Sequence, residues 1–365
     1  MVILPSWKPD DIYPSKLAKS AISYQHPLGL LYIATCIQEA GHEVQLVDGA
    51  FWTHKEVLEK VRAFGPGFVG VSANASMWTK AMRTAEDIKA IDPAIHVTVA
   101  GPFPSAVEEK CLELCPHFDS VVVCEGEQIV PELIARLERH ESLAGIAGIA
   151  YRAADGAIIK NEPRPLIEDL DSIPIPRREL LGDFEKYESP PGGYKEKPIA
   201  IVMTSRGCKA RCIYCYQMKG ERRIRLRSVE NVMKEIEELV NVYGFREIRF
   251  LDETFTADRE RAMEIFRQIR ERKLKFSFYV SSRVNTVDYE LLKAMKQAGC
   301  WAILFGAESG VQKNRNTMKK GIKLDQTRAP VKAAKKAGLK VYTPFTLPIP
   351  GKPSAEPPHP PDSAP

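Results

Sequence analysis

Short apolar runs alternate with amphipathic stretches along the first 140 residues. Residues 2–4, 68–72 (FVGVS), 95–100 and 120–124 are compact and apolar enough for buried strands, and 42–47 alternates like a half-buried one. Residues 28–40 (LGLLYIATCIQEA), 79–90 and 132–138 have helical spacing, the first stopping at Gly41. Strands alternating with helices predict an α/β domain, a doubly wound parallel sheet. Ligands of such sheets bind beyond the strand carboxyl ends, where Gly49, Ser72, Gly101 and Gly126 fall.

The pattern changes at 141–197. Residues 149–152 and 158–160 flank a turn at Asp155-Gly156, and Pro163, Pro165, Pro174, Pro176, Pro190 and Pro191 then punctuate the chain. This predicts a hairpin followed by a linker. A second βα series starts at Pro198. Its strands are expected at 199–204, 247–251, 275–280, 301–305 and 340–343, and its helices near 229–242, 259–272, 288–297 and 325–337. Five strands with intervening helices predict part of a β/α barrel over 198–345. Residues 346–365 are Pro-rich with little apolar content and are expected to be disordered.

Composition narrows the class. The chain has 365 residues, 44% of them hydrophobic and 27% charged, as in a globular protein of two or more domains. No run of about 18 apolar residues predicts a membrane span. The N-terminal MVILPSWKPDD lacks the basic flank and apolar run of a secretory signal. A cytoplasmic location is therefore expected. The net charge of +5 is too mild to imply nucleic acid. Eight cysteines in a large chain without an export signal favour thiols, metal ligands or catalysis over disulfides.

The strongest chemical signal is TSRGCKARCIYCYQ (204–217), where Cys208, Cys212 and Cys215 are spaced C-x3-C-x2-C directly after a strand. Soft thiolates select zinc, copper(I) or an iron–sulfur cluster. Structural zinc wants four closed ligands, and no fourth Cys or His lies nearby. Three ligands suit a 4Fe-4S cluster with one open iron.

With Tyr214 before its third cysteine, this motif resembles the radical S-adenosylmethionine (SAM) superfamily. The resemblance implies that the open iron chelates SAM, whose reductive cleavage gives a 5′-deoxyadenosyl radical. Later segments match in order. FLDETFT (250–256) carries Asp252 and Glu253 where the family has acids near the SAM amino group. VSSRVNT (280–286) carries Ser282 and Arg283, matching residues near the ribose and carboxylate. FGAESG (305–310) carries Glu308, matching an acid near the ribose hydroxyls. Carboxylates accept from hydroxyls and ammonium, and arginine pairs with a carboxylate, so the donor chemistry agrees.

Residues 26–50, GVSANASMW (70–78), AGPFPS (100–105) and VVVCEGE (121–127) resemble the cobalamin-binding domain fused to one large class of these proteins. That implies a flavodoxin/Rossmann-like domain over 1–140 with Ser72, Gly101, Gly126 and Glu127 at or near cobalamin. The Asp-x-His-x-x-Gly loop of cobalt-ligating domains is absent, so no histidine is expected on cobalt, and His26 is expected as a surface or turn residue. Cys36, Cys111, Cys115, Cys124 and Cys300 read as structural thiols. From Arg206 to Glu230 there are eight Lys/Arg against two carboxylates, a solvated face by default. The same patch could steer an acidic electron donor such as a flavodoxin or ferredoxin. Relatives of this class continue beyond the strand near Val341, whereas PIPG (348–351) keeps only a trace, so the barrel reads as incomplete and C-terminally truncated. Together the expectation is a cobalamin-dependent radical SAM enzyme acting on a small molecule, by C-methylation, cyclisation or rearrangement; the alternatives are a radical SAM enzyme that does not use cobalamin and a truncated, non-catalytic cluster- or corrin-binding protein. It would use a 4Fe-4S cluster, SAM and cobalamin, and would bind neither membrane nor nucleic acid.

Overall fold

The computed structural model describes residues 1–11, 23–189, 193–217 and 222–346, which divide into two compact units. The first comprises Met1–Glu168 with Ser172–Pro191, and the second Asp169–Asp171 with Gly192 onwards. Pro190, Pro191 and residues 347–365, including nearly all of the Pro-rich end, lie outside the described residues. Among the described residues no helix is long and apolar enough to cross a membrane.

The first unit is built on a seven-stranded sheet of order β2-β1-β3-β4-β5-β6-β7. Its parallel members are β1 (Val2–Leu4), β2 (Leu46–Asp48), β3 (Phe68–Ser72), β4 (His96–Ala100) and β5 (Ser120–Val122). The order 2-1-3-4-5 is that of flavodoxin-like sheets, with the topological switch between β1 and β3. These strands are apolar on both faces because helices cover both. Ile3, Val47 and Val121 pack with Val57 and Val61 of α2 (His54–Phe64) and with Ala81, Ala85 and Ile88 of α3 (Trp78–Ile91). Their neighbours Val2 and Val122 point the other way, against Leu30, Ala34 and Ile37 of α1 (Leu28–Glu39) and Leu133 of α6 (Ile129–Glu138). Between β4 and β5 lie the short α4 (Pro102–Val107) and α5 (Lys110–Leu114).

Two expectations change here. Helix α2 has no counterpart in the sequence reading, although Val57, Leu58, Val61 and Phe64 pack on the core with helical spacing. It is defined by its ends: Thr53 and Glu56 form a reciprocal capping box, and Gly65 closes it in the left-handed conformation. The hairpin β6 (Ile149–Arg152) and β7 (Ile158–Lys160) is not a separate connector. It pairs antiparallel onto β5, so the first unit extends past residue 140.

The second unit holds β8 (Ile199–Val202), β11 (Glu247–Phe250), β12 (Ser277–Ser282), β13 (Cys300–Phe305) and β14 (Lys340–Tyr342), all parallel and adjacent in sequence order. Strands laid down one after another form an arc of a β/α barrel rather than a doubly wound sheet. The linking helices begin at signals visible in the chain. Ser228, Asp258 and Asp288 cap α7 (Val229–Glu237), α8 (Arg259–Glu271) and α9 (Tyr289–Gln297), each accepting from a backbone N–H of the first turn. One π turn (Glu238–Val242) extends α7. Helices α10 (Gln312–Thr317) and α11 (Asp325–Lys336) follow β13. At the strand amino ends the fully buried Glu247 accepts from Lys195 N, Glu196 N, Ser277 Oγ and Trp301 Nε1, which anchors the segment entering β8.

Candidate functional site

In the second unit the carboxyl ends of β8, β11, β12 and β13 bring together most of the residues expected at a cofactor. The cysteine loop leaves β8 through the two-residue strand β9 (Ser205–Arg206), which pairs antiparallel with β10 (Arg225–Leu226). This clasp closes the loop at its base. Gly207, at φ +91°, turns the chain into the loop, a conformation that favours glycine. Gln217 Nε2 spans the loop, donating to Cys208 O at 3.2 Å and Ala210 O at 3.1 Å. Cys208 and Cys212 are half-buried and Cys215 is exposed. Burial, then the neighbouring Cys212 and Cys208 and the carboxylate of Glu253, raise the Cys215 thiol pKa. Three sulfur donors within one short, tied loop fit the chemistry of a 4Fe-4S cluster. Among the described residues no three His, Cys, Asp or Glu side chains form a single-ion site.

The two acids after β11 part company. Glu253 is exposed on the cysteine side, close enough to act on Cys215. Asp252, expected beside it at the SAM amino group, is fully buried and points to the base of the cysteine loop. Its Oδ1 accepts from Thr204 Oγ1 at 2.6 Å and Ser205 Oγ at 2.5 Å, and its Oδ2 from Thr204 N at 3.2 Å. Burial raises its pKa, and these hydrogen bonds oppose the rise. Arg261 reinforces the base by donating to Arg227 O at 2.8 Å and Thr204 O at 2.9 Å. Arg227 donates to Glu235 Oε2 at 2.5 Å, an ion pair buried on both sides. The basic run is therefore not wholly a solvated face. Arg225 and Arg227 are interior, while Lys209, Arg211, Arg222 and Arg223 are exposed.

Ser282, at the end of β12, lies in a cluster of hydroxyls with Thr256 and Thr286, two residues the sequence reading passed over. Arg283 Nη2 donates to Lys320 O at 2.9 Å. Glu308 stands at φ +64°, a left-handed conformation uncommon for a non-glycine. A parallel bridge to Phe345 holds its backbone. Its Oε1 accepts from Lys320 Nζ at 3.0 Å and its Oε2 from Thr346 Oγ1 at 2.8 Å. Thr346, expected to open the disordered end, is thus part of the site. Lys320 Nζ also reaches Tyr214 Oη at 3.2 Å. Burial, with the charges of Glu308 and Cys212, raises the tyrosine pKa. Lys320 was missed because a lysine in MKKGIKL carries no signal of burial, yet only 7% of it is exposed.

In the first unit Ser72 ends β3 beside the β1/β3 switch. Gly101 sits at φ +115°, and a Cβ there would stand 2.6 Å from Ala73 O, so the β3 and β4 ends approach only with glycine. Gly126 follows β5, where a Cβ would meet Ile33 Cδ1 of α1 at 2.9 Å. Glu127 is buried. Both glycines thus have a packing reason of their own. His26 is interior, against the surface expectation, because the Pro27 entry into α1 carries it edge-on against Tyr187, 4.7 Å between ring centres. Of the other cysteines, Cys36, Cys111, Cys115 and Cys300 are buried, and burial pushes the Cys111 thiol up to about 12.

Asp48, at the end of β2, is buried, and that burial raises its pKa from 3.8 to about 6 against hydrogen bonds from Ala50 N and Tyr187. The folded state holds this proton more tightly than the unfolded chain. The contribution to stability is complete below the ordinary pKa and is lost as pH rises through about 6. Asp48→Asn should therefore lose about 1–3 kcal/mol less stability than the wild type between pH 4 and 7. Thermal unfolding across that range reads the difference, and parallel profiles would contradict it.

Comparison with known proteins adds to this geometry. The B12 binding domain family model matches residues 15–134, and that of the Radical SAM superfamily matches residues 202–358. An uncharacterized methyltransferase of Pyrococcus horikoshii is 37% identical over 327 residues, covering 89% of this chain and 70% of the relative. An anaerobic magnesium-protoporphyrin IX monomethyl ester cyclase of Rubrivivax gelatinosus is 28% identical, covering 88% of this chain and 58% of the relative. The fold is shared with the cobalamin-dependent SAM radical enzyme OxsB, at a TM-score of 0.79 and 20% identity over 94% of this chain and 49% of that one. It is also shared with the radical SAM methyltransferase TsrM of Kitasatospora setae, at a TM-score of 0.76 and 19% identity over 96% of this chain and 68% of that one. The chain thus spans between half and 70% of the length of these proteins.

Proposed function

Because this chain belongs to the family that joins a B12-binding domain to a radical SAM domain, we propose that it is a cobalamin-dependent radical SAM enzyme that methylates or cyclises a small molecule. The observation that carries this reading is the hydrogen-bonded meeting of the three-cysteine loop, through Tyr214 and Lys320, with Glu308 at the strand ends. Cys208, Cys212 and Cys215 would hold a 4Fe-4S cluster, which would supply one-electron reduction of SAM, and bound cobalamin would supply methyl- or electron-carrier chemistry. The protein's own part is positioning. Glu308 accepts from the ribose hydroxyls, Glu253 accepts from the SAM ammonium, and Arg283 with Ser282 orients the carboxylate end. In the first unit Ser72, Gly101, Gly126 and Glu127 line the cobalamin side of the sheet. Exposed Lys209, Arg211, Arg222 and Arg223 receive an acidic flavodoxin- or ferredoxin-type donor. Eight cysteines that form no disulfide suit the reducing cytoplasm.

The test is anaerobic reconstitution with iron, sulfide and hydroxocobalamin, desalting, and then addition of SAM and dithionite. About four irons and about one cobalt per chain, with 5′-deoxyadenosine formed, are expected. Methylation would add S-adenosylhomocysteine in step with 5′-deoxyadenosine, whereas cyclisation would give 5′-deoxyadenosine alone. A loaded protein that forms no 5′-deoxyadenosine would refute the enzyme reading.

A further inference from the structure

We infer that Lys320 is a positioning residue, which fixes the cysteine loop and the ribose-binding acid Glu308 to one another. The inference rests on the SAM reading above. It begins with a continuous path of polar contacts. That path starts at the hydroxyl of Tyr214, the residue next to the third cysteine of the loop. Lys320 Nζ donates to that hydroxyl at 3.2 Å and to Glu308 Oε1 at 3.0 Å. One ammonium therefore touches both the aromatic residue of the cysteine motif and the acid at the end of β13.

The backbone around Lys320 repeats the connection. Ile213 N, in the cysteine loop, donates to Met318 O at 3.1 Å. Arg283 Nη2, at the end of β12, donates to Lys320 O at 2.9 Å. Lys320 N donates to Arg315 O at 2.9 Å, which closes the turn after α10. The three residues 318–320 thus tie the cysteine loop and the ends of β12 and β13 together.

Stability alone is a poor reason for such a pair. The Lys320 and Glu308 side chains are 8% and 12% exposed, so desolvation offsets much of their attraction. What the pair does achieve is aim. Glu308 is held by Lys320 on one oxygen and by Thr346 on the other, which fixes the carboxylate plane. Each oxygen keeps a second lone-pair direction for a ribose hydroxyl. Gly306 provides the space: a Cβ there would stand 2.6 Å from Lys320 Nζ and 2.7 Å from Glu308 Oε1. Both are ends of flexible side chains, so alanine at 306 can be accommodated by pushing the pair aside, without breaking the backbone.

The experiment measures iron, sulfide and the dissociation constant of labelled SAM, by equilibrium dialysis of the reconstituted full chain. Lys320→Met and Gly306→Ala should keep about four irons and bind SAM roughly 10- to 100-fold more weakly, the scale of a lost charge-assisted hydrogen bond. Lys320→Arg should recover part of the loss. Lys320→Met combined with Glu308→Gln should bind no more weakly than Glu308→Gln alone, because the two groups act as one unit. Wild-type affinity in Lys320→Met, full additivity in the double variant, or loss of iron in Lys320→Met and Gly306→Ala would each overturn the inference. Should Lys320→Met fail to fold, Gly306→Ala and Lys320→Arg decide the question. A wild-type protein that holds four irons and binds no SAM would instead remove the SAM reading itself, and this inference with it.

Discussion

Replacing Cys208, Cys212 and Cys215 together by alanine should abolish iron uptake on reconstitution, from about four irons per chain to none. The effect is all-or-none because the thiolates are the soft donors of the cysteine loop, and among the described residues no other site of three ligands takes their place. The loop itself should survive. Its base is held by the β9–β10 pairing and by Asp252, and its span by Gln217 donating to two backbone carbonyls. The triple variant should therefore unfold within a few degrees of the apo wild type. Single replacements separate the ligands: any one of them should leave less than half of the iron, with Cys215, the most exposed of the three, the most easily stripped by a chelator. Iron at wild-type levels in the triple variant would show that the metal is held elsewhere. Cobalt retained by the same variant would show that the first unit loads independently.

The second large effect is expected at Asp252. Asp252→Ala removes the acceptor of Thr204 N, Thr204 Oγ1 and Ser205 Oγ, and leaves all three donors buried. Loss of a buried carboxylate with several donors costs about 3–5 kcal/mol. For a unit of this size that lowers the melting temperature by roughly 10 °C. Because Thr204 and Ser205 lead into the cysteine loop, iron retention should fall as well. Asp252→Asn keeps one acceptor oxygen but turns an amide N–H toward Thr204 N, so it should fall between the two. Glu253→Gln provides the contrast. Exposed and close to Cys215, it should keep stability and iron and weaken SAM binding. If Asp252 bound the SAM ammonium as its motif implies, the result would reverse. Asp252→Asn would then melt like the wild type, hold its iron, and lose SAM.

How far the chain could be read without coordinates depended on which residues carried a periodic or motif signal. The five barrel strands fall within two residues of their expected starts because each is a run of apolar positions ended by polar ones. Helices α7, α8 and α9 begin where Ser228, Asp258 and Asp288 stand. Strands β9 and β10 escaped notice because two residues establish no alternation. Helix α2 escaped although Val57, Leu58, Val61 and Phe64 have helical spacing and pack on the core, because charged residues fill most of the rest of the segment. The hairpin was legible as a hairpin, but its sheet was not, since pairing with β5 is a long-range choice.

The amino-acid sequence by itself determined the two-unit α/β plan and the C-x3-C-x2-C donor set. It also placed the acids and Arg283 at successive strand ends, because burial periodicity and ligand spacing are local properties of the chain. Tertiary structure alone decided which of those residues face one another. Asp252 and Glu253 are chain neighbours with similar chemistry, yet one is sealed under the cysteine loop and the other stands beside a thiol. Lys320 lies 106 residues from Tyr214 and 12 from Glu308, and meets both only because β13 and α10 return the chain to the mouth of the cysteine loop. A buried charge acquires its role from the partners that offset its desolvation, and packing supplies those partners.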